Sequence, residues 1–239
     1  MELRKPKTVR SWREFMYEIA VVVLGIVLAL GGEQLLEQHR DRHKAADARN
    51  NIRAEIAGNL AVLWNRISTQ QCIDRRLDEV AKLINASTEP GYQAPSWIGN
   101  PEIWELVHAR WEVVSQAGRA PLLTPDEQGK YGFIYALFAD IAADQDREQI
   151  AWAHLGVLEG LAHPSTGIRD AIQLDLQVAR LVNSDIEGLA GLLESRSAEL
   201  GIAKQAADRR GETGVCFATN TPRAEALQRL RNTTPTKVL

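Results

Sequence analysis

Three groups of side chains in this sequence have the types and spacing for chemistry. His39 and His43 stand four residues apart, which on a helix puts both imidazoles on one face and suits a metal ion. No glutamate of an HExxH pattern lies between them and no third ligand follows closely, so a solvated, basic turn is expected instead. Asp140, Asp144 and Glu148 repeat the same spacing. Paired carboxylates serve acid–base catalysis or hold divalent cations. Helix surfaces carry such ladders too, and Arg147 is near enough to offset the charge, so a solvent-facing ladder is expected. Trp104 and Trp111, seven residues apart with His108 between them, could wall an aromatic pocket. Core packing produces the same spacing on a helix, and core is the expectation. His108, His154 and His163 are isolated and read as core-edge or capping residues.

Cys72 and Cys216 are the only cysteines. They can pair if the domain lies in an oxidising compartment outside the cytoplasm, and remain buried thiols if it does not. A bridge would tie an early helix to the GETGVC loop and close a long segment. Neither cysteine has catalytic company. The sequence holds no P-loop, GxGxxG, GxSxG, CxxC or HExxH pattern, so no catalytic, cofactor-binding or metal-ligating residues are assigned. Asn85-Ala86-Ser87 and Asn232-Thr233-Thr234 fit the N-glycosylation pattern, which matters only in a eukaryotic secretory pathway.

The elements that must position these residues follow from composition and periodicity. The chain has 239 residues, 28 basic against 31 acidic, a formal charge of −3, with 45% hydrophobic and 25% charged residues. Those fractions exclude wholesale disorder and low-complexity classes. The near-neutral balance gives no electrostatic reason to expect nucleic acid. A mean hydropathy of −0.24 conceals one apolar run, Ile19 to Gly32 (IAVVVLGIVLALGG). Extended to residues 15–36 it reaches the roughly 20 residues a membrane-spanning helix needs, with Glu18, Glu33 and Gln34 near its ends and Trp12, Phe15 and Tyr17 at one interface. A cleaved signal peptide, with Ala29-Leu30-Gly31 as its small-residue site, is the rival reading. A core helix of a soluble protein is the third, and apolarity on all sides argues against it. An uncleaved anchor is favoured.

Arg4, Lys5, Lys7, Arg10 and Arg13 precede the run, and Arg40, Arg42, Lys44, Arg49 and Arg53 follow it. The count is nearly tied. A short basic tail is hard to translocate, so the N-terminus is expected in the cytoplasm and the remainder outside. That gives a basic tail over residues 1–14, the anchor over 15–36 and a polar helical stalk over 37–51. A helical bundle over 52–211 and a C-terminal loop with a short helix over 212–239 complete the chain.

Within the bundle, Ile52, Ile56, Leu60, Leu63, Ile67, Leu77, Val80 and Ile84 step by three or four for most of the way, one buried face of a helix running on to Ala86. Asn100-Pro101-Glu102 predicts a helix start, with the helix carrying Ile103, Trp104, Val107, Trp111 and Val114 to near Gly118. Thr124-Pro125-Asp126-Glu127 is a capping box before a helix with Tyr131, Ile134, Tyr135, Phe138, Ile141, Trp152 and Leu155 inside. Ser165-Thr166 opens another, with Ile168, Ile172, Leu176, Leu181, Ile186, Leu189, Leu193 and Leu200 as apolar positions, and Thr221-Pro222 opens a last, short one. No segment alternates with period two, so the class is all-α: a transmembrane helix followed by a bundle with a long first helix.

Trp12-Arg13-Glu14-Phe15-Met16-Tyr17-Glu18-Ile19, followed by Val22-Val23-Leu24-Gly25-Ile26-Val27-Leu28-Ala29-Leu30, resembles the N-terminus of a group of uncharacterised bacterial single-pass inner-membrane proteins. In that group a basic tail leads through an acidic residue into a V-x-G-I-x-x-A anchor and a helical domain. The resemblance implies an uncleaved anchor and supplies no activity. The expected function is a membrane-anchored binding or scaffold protein. Its periplasmic domain would engage a membrane-protein partner or itself as a homo-oligomer, with the lipid bilayer as its other partner and no cofactor. An enzyme with a site between bundle helices, or a secreted helical protein, are the alternatives.

Overall fold

The computed structural model describes residues 12–116, 123–203 and 213–233. The basic residues from Arg4 to Arg10 and the stretch between Lys204 and Glu212, where the bundle was expected to end, lie outside them. All regular structure among the described residues is helical: α1 (Trp12–Ile67), α2 (Gln70–Ala86), α3 (Ala109–Gln116), α4 (Pro125–Leu155), α5 (Thr166–Glu199) and α6 (Arg223–Thr233). The chain divides into two compact units, Met1–Asn50 and Asn51–Leu239.

In the first unit the apolar run is helical and its side chains face outward. Val22, Leu24, Leu28 and Leu30 are 58–67% exposed. None of the most apolar window is buried by protein. This helix is long and apolar enough to cross a membrane.

In the second unit α4 and α5 form the principal helix pair and α2 packs on α5. From Asn51 onward α1 buries Ile52, Ile56, Leu60 and Leu63, each worth about 1.5–3 kcal/mol when fully withdrawn from water. One core cluster joins Ile73, Leu77, Val80 and Ile84 of α2 with Trp152 and Leu155 of α4 and Ile172 and Leu176 of α5. The apolar positions expected on α4 are all buried, and its start is the capping box, with the Thr124 hydroxyl accepting from the Glu127 amide. Ser165 likewise accepts from the Ile168 amide at the head of α5. Leu181 departs from expectation: it is 63% exposed, and Val182 is buried in its stead.

The long first helix reaches Ala86 as expected, with a two-residue turn at Ser68 and Thr69 where α1 gives way to α2. There the Ser68 and Thr69 hydroxyls donate to the carbonyls of Asn65 (2.7 Å) and Arg66 (2.8 Å), and such local side-chain bonds compete with the helical ladder. One further expectation fails: no helix starts at Pro101. Residues 101–108 are non-helical, and α3 begins only at Ala109. Side chains supply the bonds that a helix would have made. The Trp104 amide donates to Gln145 Oε1 (2.9 Å) and its carbonyl accepts from Gln145 Nε2 (3.2 Å). Val107 has the same reciprocal pair with Asn59, at 2.9 and 2.6 Å. The Arg110 amide donates to the Glu55 carboxylate at 3.0 and 3.2 Å. Three side chains from α1 and α4 thus satisfy a segment whose local signals favour a helix.

Candidate functional site

His39 and His43, on the first unit's helix, are exposed, with their Nε2 atoms 3.1 Å apart. Their rings stand edge to face, centroids 4.5 Å apart. Among the described residues no three His, Cys, Asp or Glu side chains converge as a metal would require.

The carboxylate ladder is not a solvent-facing one. Asp140 is exposed, but Asp144 and Glu148 are buried. Arg147 pairs with Asp144 at 3.0 Å, while Glu148 accepts from the buried Arg66 at 2.6 Å. The helix turns two of the three positions inward, because α1 and α5 cover that side of α4 with Arg66 and Asn183. The Arg66 guanidinium also donates to Asn183 Oδ1 (2.8 Å), and the Asn183 amide reaches the exposed Asp74 (3.0 Å). Burial holds Glu148 above the ordinary carboxylate value, against the opposing pull of Arg66 and with Asp144 adding to the rise. Chemically this is a buried ion pair, with Glu148 Oε1 engaged by Arg66.

Trp104 and Trp111 do not share a helix. Trp104 is buried in the non-helical segment, and Trp111 stacks on Tyr135, ring centroids 5.5 Å apart. The Tyr135 hydroxyl donates to Glu55, and burial followed by that carboxylate keeps the phenol protonated. The isolated histidines lie at the surface. His108 pairs with Glu112 (3.2 Å), His154 with Asp175 (3.0 Å), and His163 is exposed.

Cys72 on α2 and Cys216, in the turn Gly214–Cys216, are joined as a disulfide, with Cα atoms 4.9 Å apart, within the span such a bridge allows. Around them Arg76, buried, donates to the carbonyls of Trp97 (3.2 Å), Ile98 and Phe217 and to Glu79 (2.8 Å). The Trp97 indole donates to the Gly214 carbonyl at 2.7 Å. Gly99, at φ +68°, permits this crossing, since a Cβ there would meet the Gly214 oxygen at 2.5 Å. Glu159 accepts from the Ile98 amide (2.8 Å) and from Arg223. This cluster is a clasp on the C-terminal segment, built to hold backbone.

An open cleft of about 400 Å³ lies where the start of α4 meets the end of α5. Arg196 sits over the Phe133 ring at 5.7 Å, and its cations are taken: Lys130 by Asp126 (2.7 Å) and Arg196 by Glu199 (2.8 Å).

Arg66, Arg76, Asn59, Gln145 and Asn183 were missed in the sequence, although a signal existed for some. Arg76 stands three residues after Ile73 and four before Val80, and Asn59 three after Ile56. Each therefore falls on an apolar stripe, where a polar residue must find a partner. Compared with family models, curated proteins and solved structures, the chain matches none.

Proposed function

We propose that the chain is a single-pass membrane-anchored protein whose helical domain lies outside the cytoplasm, in a bacterial periplasm, and acts by binding a protein partner. The observation that carries this is the helix over residues 15–36, whose uncharged run, residues 19–32, is apolar on every side and whose most apolar window is covered by no protein. Exposed apolar surface on that scale is unstable in water and satisfied in lipid. The geometry of Cys72 and Cys216 supports the compartment, because disulfides persist where the medium oxidises thiols.

Binding rather than catalysis is favoured by where the polar side chains are spent. Arg66, Arg76, Asn59, Gln145 and Glu55 all bond the protein's own backbone or other side chains of the domain. Meanwhile α5 turns Leu174 and Leu181 outward, 68% and 63% exposed, with Leu192 at 37%. At 3.6 residues per turn these three fall on one line of the helix, the kind of stripe a partner helix covers.

Carbonate extraction and a phosphatase fusion at Leu239 test the anchor and the compartment. Membrane retention with phosphatase activity is expected. Release of the intact chain overturns the anchor, and a mature start at Gly32 replaces it with a secreted protein. Crosslinking in membranes tests the binding surface: Leu181→Asp should abolish an adduct that wild type forms, and an unaffected adduct removes α5 from the proposal.

A further inference from the structure

We infer that His39 and His43 form a site for a divalent first-row transition ion, and that the same two histidines of a second copy complete its ligand set. The Nε2 atoms lie 3.1 Å apart. With metal–nitrogen bonds of about 2.0–2.1 Å, that separation subtends about 98° at a shared ion, between the square-planar and tetrahedral angles. Both rings are exposed, so an ion displaces only the solvent-facing hydrogen bond between the two Nε2 atoms. Imidazole nitrogen suits Cu²⁺, Ni²⁺ and Zn²⁺, with Cu²⁺ bound most tightly. The neighbouring acid, Asp41, is taken by Lys44 at 3.0 Å. No third ligand converges from the described residues of the same chain, so one copy leaves half of a four-coordinate site open.

Helical register supplies the other half. Gly25, Gly32 and His39 follow at seven-residue steps, and His43 comes eighteen residues after Gly25, five full turns at 3.6 residues each. Ala29 lies on the same face, four residues from Gly25. A Cβ at Gly25 or Gly32 would meet nothing within 4 Å. Small residues four and seven apart let two membrane helices approach closely. Resting on the membrane-anchored reading, all copies share one orientation. A two-fold pair packed on Gly25, Ala29 and Gly32 therefore brings four imidazoles together just beyond the apolar run.

The test uses the full chain in detergent with Cu²⁺ as the probe, followed by equilibrium dialysis, electron paramagnetic resonance and crosslinking. One ion per two chains, a four-nitrogen signature and a dimer fraction that rises with metal are expected. His39→Ala/His43→Ala should weaken binding at least a hundredfold, and Gly32→Ile should lower the dimer fraction at fixed metal. Unchanged affinity in the double histidine variant overturns the site. One ion per chain with two nitrogens and no added dimer overturns the shared ligand set. Carbonate extraction reads the anchor without touching the histidines, so failure of the metal site and failure of the membrane reading give different results.

Discussion

Arg66 and Glu148 are withdrawn from water together, 1% and 4% exposed, and joined at 2.6 Å. Taking either charge inside costs several kcal/mol, and the attraction between them offsets that only while both are present. Glu148→Ala is therefore expected to cost about 3–5 kcal/mol of unfolding free energy, whereas Arg66→Met with Glu148→Leu should recover most of it; urea denaturation of the three chains checks both. Glu148 also sets a pH dependence. Its folded value is raised, chiefly by burial, so its contribution is complete below the ordinary glutamate value and is lost as pH climbs through the raised one. Against the non-titrating Glu148→Gln, wild type should lose relative stability as pH increases across that interval. A series of denaturation midpoints with the opposite slope would show that the Arg66 charge, not burial, governs the carboxyl.

At the scale of elements, the segment 101–108 shows a strong helix-start signal being overruled. Asn59 and Gln145 each satisfy one amide and one carbonyl of this non-helical segment, leaving the backbone no need for a helical ladder. Asn59→Ala removes two of these bonds at once, and a loss of about 1–3 kcal/mol is expected. Hydrogen exchange should accelerate at Val107 while the amides of α4 stay protected; equal acceleration in α4 would mean that Asn59 supports the whole bundle. The capping box at Thr124 and the cap at Ser165 were readable beforehand because they are local. They need only residues three apart in sequence, as their observed bonds show.

At the scale of the molecule, Cys72 and Cys216 link positions 144 residues apart. In the chain-entropy account a loop of that length stabilises by at most about 4–5 kcal/mol. Cys72→Ala/Cys216→Ala should lose stability up to that amount, and wild type in reductant should match it in urea denaturation. The C-terminal segment should stay docked in the variant, since Arg76 and the Trp97 indole still hold Phe217 and Gly214. Fluorescence of Trp97 unchanged by the double substitution would bear this out, and a shift to the solvent-exposed spectrum would make the bridge the main clasp.

Sequence alone determined the helical class, the apolar run, the buried face of α2 and most apolar core positions of α4 and α5, because each depends on a short period or a concentration of apolar side chains that no distant contact needs to complete. Only the tertiary structure decided that Asp144 and Glu148 turn inward, that residues 101–108 stay non-helical and that Arg76 gathers three loop carbonyls. Those outcomes depend on partners 21 to 141 residues away. A buried polar group takes whichever partner the fold presents, and periodicity carries no record of which one that is.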